Sequence, residues 1–163
     1  QVMYEYRAKI NRVVDGDTVD VDIELGFGIV LADERVRIMG IDTPESRTSD
    51  KVEKLFGLAA KNRLKSLLGK TAVLRTQVAK DGEDMKGKFG RILGDFDVYD
   101  AGKDAWRPAT DIMIEEGHCV AYFGGSKEEI QAKHMVNREK LLREGVVDRA
   151  EYDKAMALME KKK

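Results

Sequence analysis

The sequence is poor in cysteine, in long apolar runs and in net charge. The single Cys119 excludes an intramolecular disulfide and a zinc site built from cysteines. No apolar run approaches the ~18 residues of a membrane-spanning helix, so we expect no membrane partner. Lys and Arg total 29 against 30 Asp and Glu, for a net charge of -1. This balance argues against a general polyanion binder, and any nucleic-acid site must be a local basic patch.

The length of 163 residues and the 42% hydrophobic content fit one soluble globular domain with a core of ordinary size. The chain begins at Gln1 and shows no signal peptide. We therefore leave the location open and favour the cytoplasm over secretion.

Alternating apolar and polar residues predict strands, and one apolar stripe predicts a long helix. From Val19 to Leu25, every second residue is apolar and the others are acidic, which is typical of a half-buried strand. The predicted order is three strands, a helix and two strands, at residues 4–14, 19–25, 29–39, 52–68, 72–78 and 92–98. That order predicts an α+β fold built on a five-stranded oligonucleotide-binding (OB-fold) β-barrel.

The C-terminal part is predicted to be helical. Helices are expected at 108–116, at 126–143 and from 148 onward. Gly117 is expected to end the first, Ser126 to begin the second and Asp148 to begin the last. We therefore divide the chain into an OB-fold domain, 1–125, and a C-terminal helical extension, 126–163. The extension either packs on the barrel or serves a protein partner or self-association.

Two acidic segments carry the chemistry that we expect. Asp17 and Asp42 end neighbouring predicted strands, where both could reach one ion, and Thr43 could add its backbone carbonyl. Hard cations such as Ca²⁺ take oxygen ligands of these types. Taken alone, each segment is a common turn sequence. Glu45, just past the ligands, could hold a water molecule and act as general base toward phosphorus.

Two basic segments accompany the acids. Arg37 presents a planar fork that matches two phosphate oxygens. Arg91 ends the segment Lys88-Phe89-Gly90-Arg91 and could stabilise charge on a five-coordinate phosphorus or on the leaving oxygen. His118 and His134 lie outside all these segments, and we set them aside as structural.

In order and spacing, these segments resemble the staphylococcal nuclease (thermonuclease) family. The matching parts are residues 15–18, Arg37, residues 42–45 and residues 88–91, and the resemblance extends over about residues 3–125. It implies a calcium-dependent nuclease that acts on DNA and RNA and leaves 3′-phosphate and 5′-hydroxyl ends.

The resemblance also implies individual roles. The acids matching Asp17 and Asp42, with the carbonyl matching Thr43, hold one Ca²⁺. The arginines matching Arg37 and Arg91 bind phosphate, and the glutamate matching Glu45 works on the attacking water.

Substrate-binding roles are implied for three further residues. Lys88 and Phe89 lie in the basic segment, although Phe89 stands where the family commonly has tyrosine, and Tyr122 matches a nucleotide-stacking tyrosine. Two alternatives to a nuclease remain. One is a non-catalytic OB-fold module that binds nucleic acid, and the other is a protein-interaction domain whose partner docks on the last helices.

Overall fold

A computed structural model describes residues 4–77 and 91–161. Within these ranges the strands are β1 (Tyr4–Asp15), β2 (Thr18–Gly26), β3 (Ile29–Ile38), β4 (Ile41–Asp42), β5 (Thr71–Thr76), β6 (Ile92–Asp100), β7 (Ala105–Pro108) and β8 (Val120–Ala121). The helices are α1 (Lys51–Leu68), α2 (Ala109–Glu116), α3 (Lys127–Arg143) and α4 (Arg149–Glu160).

Five strands close into a barrel. The sheet order is β3-β2-β1-β5-β6-β7, and β3 also pairs with β6 in parallel, at Val36 with Ile92 and at Arg37 with Leu93. This second pairing joins the two ends of the five-stranded part, as the OB-fold requires. The predicted fold class is therefore confirmed. Strand β7 adds a hairpin to β6 that the sequence pattern did not predict.

The barrel is filled by the inward-facing residues of the alternating strands. Val19, Val21, Val36, Leu74 and Phe96 are almost completely buried. The apolar stripe of α1 closes one side of the same core through Ala60 and Leu64.

Helix α1 begins and ends where its capping residues predict. The Asp50 carboxylate accepts hydrogen bonds from the backbone N–H groups of Val52 and Glu53, at 3.0 and 3.1 Å. Gly69 caps the last turn with a positive φ of 62°. The helix is thereby fixed in length and register, and this matters because it supports the candidate site.

The C-terminal helices bury a second, smaller core against α1. Val52 and Phe56 of α1 pack with Leu141 of α3, with Ala155 of α4 and with Val147, which lies between those two helices. Tyr152 meets Phe56 edge to face, with ring centroids 6.1 Å apart. Among the helices of the described chain, none combines the length and the apolar character needed to cross a membrane.

Candidate active site

The small residues on one face of α1 support two loops. A Cβ atom added to Gly57 would clash with the Glu45 carbonyl group and would lie 2.6 Å from the Ser46 backbone nitrogen. A Cβ atom added to Gly16 would lie 2.9 Å from the Cβ atom of Ala60. The helix therefore packs directly against the backbone of both acidic segments, with no room for an added Cβ atom at either glycine. This packing holds the two segments beside the same helix face.

Asp17 lies in the tight turn between β1 and β2 and contacts three neighbours. Its Oδ1 atom accepts a hydrogen bond from the Thr18 hydroxyl at 2.8 Å, and its Oδ2 atom accepts one from the Thr43 hydroxyl at 3.0 Å. Arg37 Nη2 lies 3.3 Å from the same Oδ2 atom. The two acidic segments and the strand arginine thus meet at one carboxylate.

Arg37 is held in place by backbone groups as well as by this ion pair. Its guanidinium donates to the carbonyl oxygens of Ile38 and Ile41, the latter at 3.3 Å. The backbone N–H of Ile38 donates to the Asp17 carbonyl at 2.8 Å and ties the strand end to the turn. These contacts fix the orientation of the fork before any ligand arrives.

An open cleft collects most of the charged residues expected at the site. It is lined by Asp15, Asp17, Thr18, Arg35, Arg37, Glu45, Arg47 and Arg91. Glu45 is solvent-exposed there, and Arg91 immediately precedes the β6 residues that pair in parallel with Val36 and Arg37 of β3. Three acids and four arginines in one cleft can bind an anion and still present a free carboxylate.

A second, more apolar cleft begins at Arg37 and Arg91. Tyr122 and Phe123 line it, with 45% and 89% of their surface exposed. The backbone N–H of Tyr122 donates to the Gly40 carbonyl at 2.9 Å, which holds the aromatic pair beside the strand end. Exposed aromatic rings next to arginines are suited to stacking on bases. The sequence analysis named Tyr122 and overlooked Phe123.

Asp42 is directed toward α3. Its Oδ2 atom lies 2.6 Å from Nε2 of His134, and the two side chains are 47% and 11% exposed. Asp42 is not among the described residues that line the cleft at Asp17. His134, which the sequence analysis set aside as structural, therefore contacts a predicted metal ligand from which 92 positions separate it.

The donor set suits a hard cation. Asp17, Asp42 and the Thr43 carbonyl offer only oxygen atoms, which Ca²⁺ prefers. Within residues 4–77 and 91–161, no three His, Cys, Asp or Glu side chains are grouped closely enough to hold a metal ion by themselves. An ion here would therefore depend on the two aspartates, the backbone carbonyl and water. Lys88 and Phe89 lie outside the described residues.

Two buried titratable groups, Cys119 and His118, are poorly suited to reactions of their own. Burial raises the pKa of the Cys119 thiol to about 12, so the nucleophilic thiolate is scarce at neutral pH. Burial also lowers the pKa of His118, which favours the neutral imidazole.

The comparisons with known proteins point in one direction. Micrococcal nuclease of Shigella flexneri is 31% identical over 121 residues, 72% of this chain and 59% of its own. Thermonuclease of Staphylococcus intermedius is 37% identical over 84 residues, 52% of this chain and 44% of its own. Endonuclease YhcR of Bacillus subtilis is 27% identical over 124 residues, 73% of this chain and 9% of its own.

The chain spans less than two thirds of the length of each of these relatives. A family model described as "Staphylococcal nuclease homologue" matches residues 35–148. Because that match covers more than half of the chain, the chain belongs to the staphylococcal nuclease family.

Proposed function

We propose that the chain is a calcium-dependent nuclease that hydrolyses phosphodiester bonds in DNA, RNA or both. One observation carries the proposal. Asp17, Arg37, Glu45 and Arg91 line a single open cleft, although the sequence places them up to 74 positions apart. The relatives named as nucleases support the same reaction class.

Asp17, Asp42 and the Thr43 carbonyl would hold the ion. His134 contacts the Oδ2 atom of Asp42, so the Oδ1 atom remains available as a ligand. When bound, the ion supplies Lewis-acid polarisation of a phosphate oxygen and lowers the pKa of nearby water.

The side chains of the cleft perform the remaining steps. Glu45 accepts a proton from the attacking water, whose oxygen forms the new bond to phosphorus. Arg37 and Arg91 meet the charge that develops on the equatorial and leaving oxygens. The bond to the 5′ oxygen breaks and that oxygen takes a proton from solvent water, which leaves a 3′-phosphate and a 5′-hydroxyl end.

The apolar cleft beside the arginines is the proposed base-binding region. Tyr122 offers an exposed ring for stacking, and Lys88 and Phe89 are proposed to contact the substrate from the basic segment. Stacking on aromatic rings tolerates every base, so we expect weak sequence preference.

Cleavage of a fluorogenic single-stranded oligonucleotide, with calcium and then with chelator, tests the proposal. We expect calcium-dependent turnover in the wild type, and at least ~10²-fold slower turnover after Glu45→Gln. A protein that binds the oligonucleotide tightly without cutting it would instead be the non-catalytic OB-fold module. The contact of Asp42 with His134 favours this second candidate, because it occupies one oxygen of a proposed calcium ligand.

A further inference from the structure

Two arginines in the cleft have no part in the steps above. Arg35 precedes Arg37 by two positions on β3, so both point to the same side of the strand, with Cα atoms roughly 6.6 Å apart. Arg47 follows Glu45 by two positions in the loop that α1 supports. Both line the cleft that holds Arg37 and Arg91.

Each of these arginines is oriented by a carboxylate. Arg35 donates to Asp20 through Nε at 2.8 Å and Nη2 at 3.1 Å, and Asp20 is buried. Arg47 Nη2 lies 3.2 Å from Asp15 Oδ2. A guanidinium has five N–H donors, so each arginine keeps donors for a ligand.

The exposure and charge of the pair suit a phosphate backbone. The side chains of Arg35 and Arg47 are 44% and 72% exposed. The chain as a whole carries a net charge of -1, whereas the cleft has four arginines against three acids. The cleft lining therefore carries one positive charge more than its own acids, and Arg35 and Arg47 are exposed to a strand.

We propose that Arg35 and Arg47 are phosphate subsites for the nucleotides that flank the bond being cut. The site then prefers a strand with several phosphates over a single phosphodiester. This inference rests on the proposed nuclease function. It assigns to both residues a role in substrate length preference and none in the bond-breaking step.

The test compares Arg35→Gln and Arg47→Gln with the matched control Arg12→Gln. Arg12 also binds Asp20, at 2.7 Å, and is absent from the described lining of the cleft. Steady-state cleavage is measured on two substrates over a series of salt concentrations. One is a single-stranded oligonucleotide, and the other is a thymidine derivative that carries one phosphodiester and no other phosphate. Anisotropy of a labelled, non-cleavable phosphorothioate strand reads binding without cleavage.

For each cleft variant, we expect KM for the oligonucleotide to rise about fivefold, the upper range for an exposed ion pair. The slope of log Kd against log salt for the strand should fall by about 0.7 per arginine removed. The single phosphodiester should show a clearly smaller change in KM, and Arg12→Gln should resemble the wild type.

Equal KM changes on both substrates, or no change in either cleft variant, would overturn the subsites. If the wild type binds the strand but cuts neither substrate, the nuclease proposal fails, and the salt slopes still decide the subsites. If Arg35→Gln does not fold, the exposed Arg47→Gln decides the outcome.

Discussion

His134 Nε2 lies 2.6 Å from Asp42 Oδ2, and this contact joins α3 to the predicted metal site. The histidine is largely buried, whereas half of the Asp42 side chain is exposed. A fixed donor on one carboxylate oxygen orients the other oxygen for a ligand. The contact therefore gives the C-terminal helices a defined connection to the chemistry.

We predict that His134→Ala weakens calcium binding by about tenfold or more, as loss of a partner behind a metal ligand commonly does. His134→Gln should recover much of the affinity, because an amide N–H can replace the imidazole donor. Titration calorimetry without substrate measures this directly.

Asn137→Ala is the matched control for this prediction. Asn137 lies one turn along α3 and donates to the Cys119 carbonyl at 3.3 Å, so its partner is a backbone group and not the Asp42 carboxylate. If His134→Ala binds calcium with the wild-type affinity, the histidine has only a packing role. Tighter binding would mean that it competes with the ion for Asp42.

We predict that Arg37→Lys and Arg91→Lys each fold normally and lose about 10²–10³ in kcat, because lysine lacks the planar fork. Arg63→Lys is the control, since Arg63 binds Glu116 through two bonds of 2.6 and 2.8 Å outside the described lining of the cleft. Steady-state cleavage with saturating calcium, beside a thermal melt, separates chemistry from folding. A kcat held within about threefold, with KM raised, would limit the arginines to substrate positioning.

Local sequence patterns were sufficient to predict the barrel and α1. The strand from Val19 to Leu25 and the capping group of Asp50 depend on near neighbours, and both elements are confirmed. The predicted alternation holds only in part, because Asp20 is buried against arginines and Leu25 is 40% exposed. The structure also pairs Asp17 with Arg37, a contact that the strand alternation did not predict. The roles of these residues remain predictions.

Local sequence patterns did not predict the contacts between segments that are distant in the chain. His134 reaches Asp42 only because α3 packs beside the β4–β8 pairing, and no spacing rule links positions 92 apart. An amphipathic α4 had to bury its apolar face somewhere, but the pattern did not identify Phe56 as the partner.

We predict that Gly57→Ala lowers the free energy of unfolding by about 1–3 kcal/mol, the usual cost of overpacking. The added methyl group meets backbone atoms of Glu45 and Ser46, so the loop that carries Glu45 must move. We therefore also expect a lower kcat in the folded fraction. Urea unfolding and cleavage assays of the same sample measure both effects.

Gly125→Ala is the control for that substitution, since its methyl group would find its nearest neighbour at 3.5 Å, an ordinary contact. If Gly57→Ala is as stable and active as Gly125→Ala, the close approach of α1 does not position Glu45.

The last prediction concerns pH. Burial raises the pKa of Asp95 from 3.8 to about 6, although Thr110 and the Phe96 N–H donate to its carboxylate. Between these two values the unfolded chain releases the proton that the folded chain retains. Stability therefore falls as the pH rises through this window, by roughly 2–3 kcal/mol, and the penalty stays constant at higher pH.

Asp95→Asn should remove this fall, so its stability relative to the wild type should increase as the pH rises from 3.8 to about 6. Urea unfolding at several pH values measures the difference, and the exposed Asp153→Asn is the control. The difference between variant and wild type isolates Asp95, because the titrations of the other carboxylates are common to both proteins. A difference that is flat across the window would mean that Asp95 ionises as easily in the fold as in the unfolded chain.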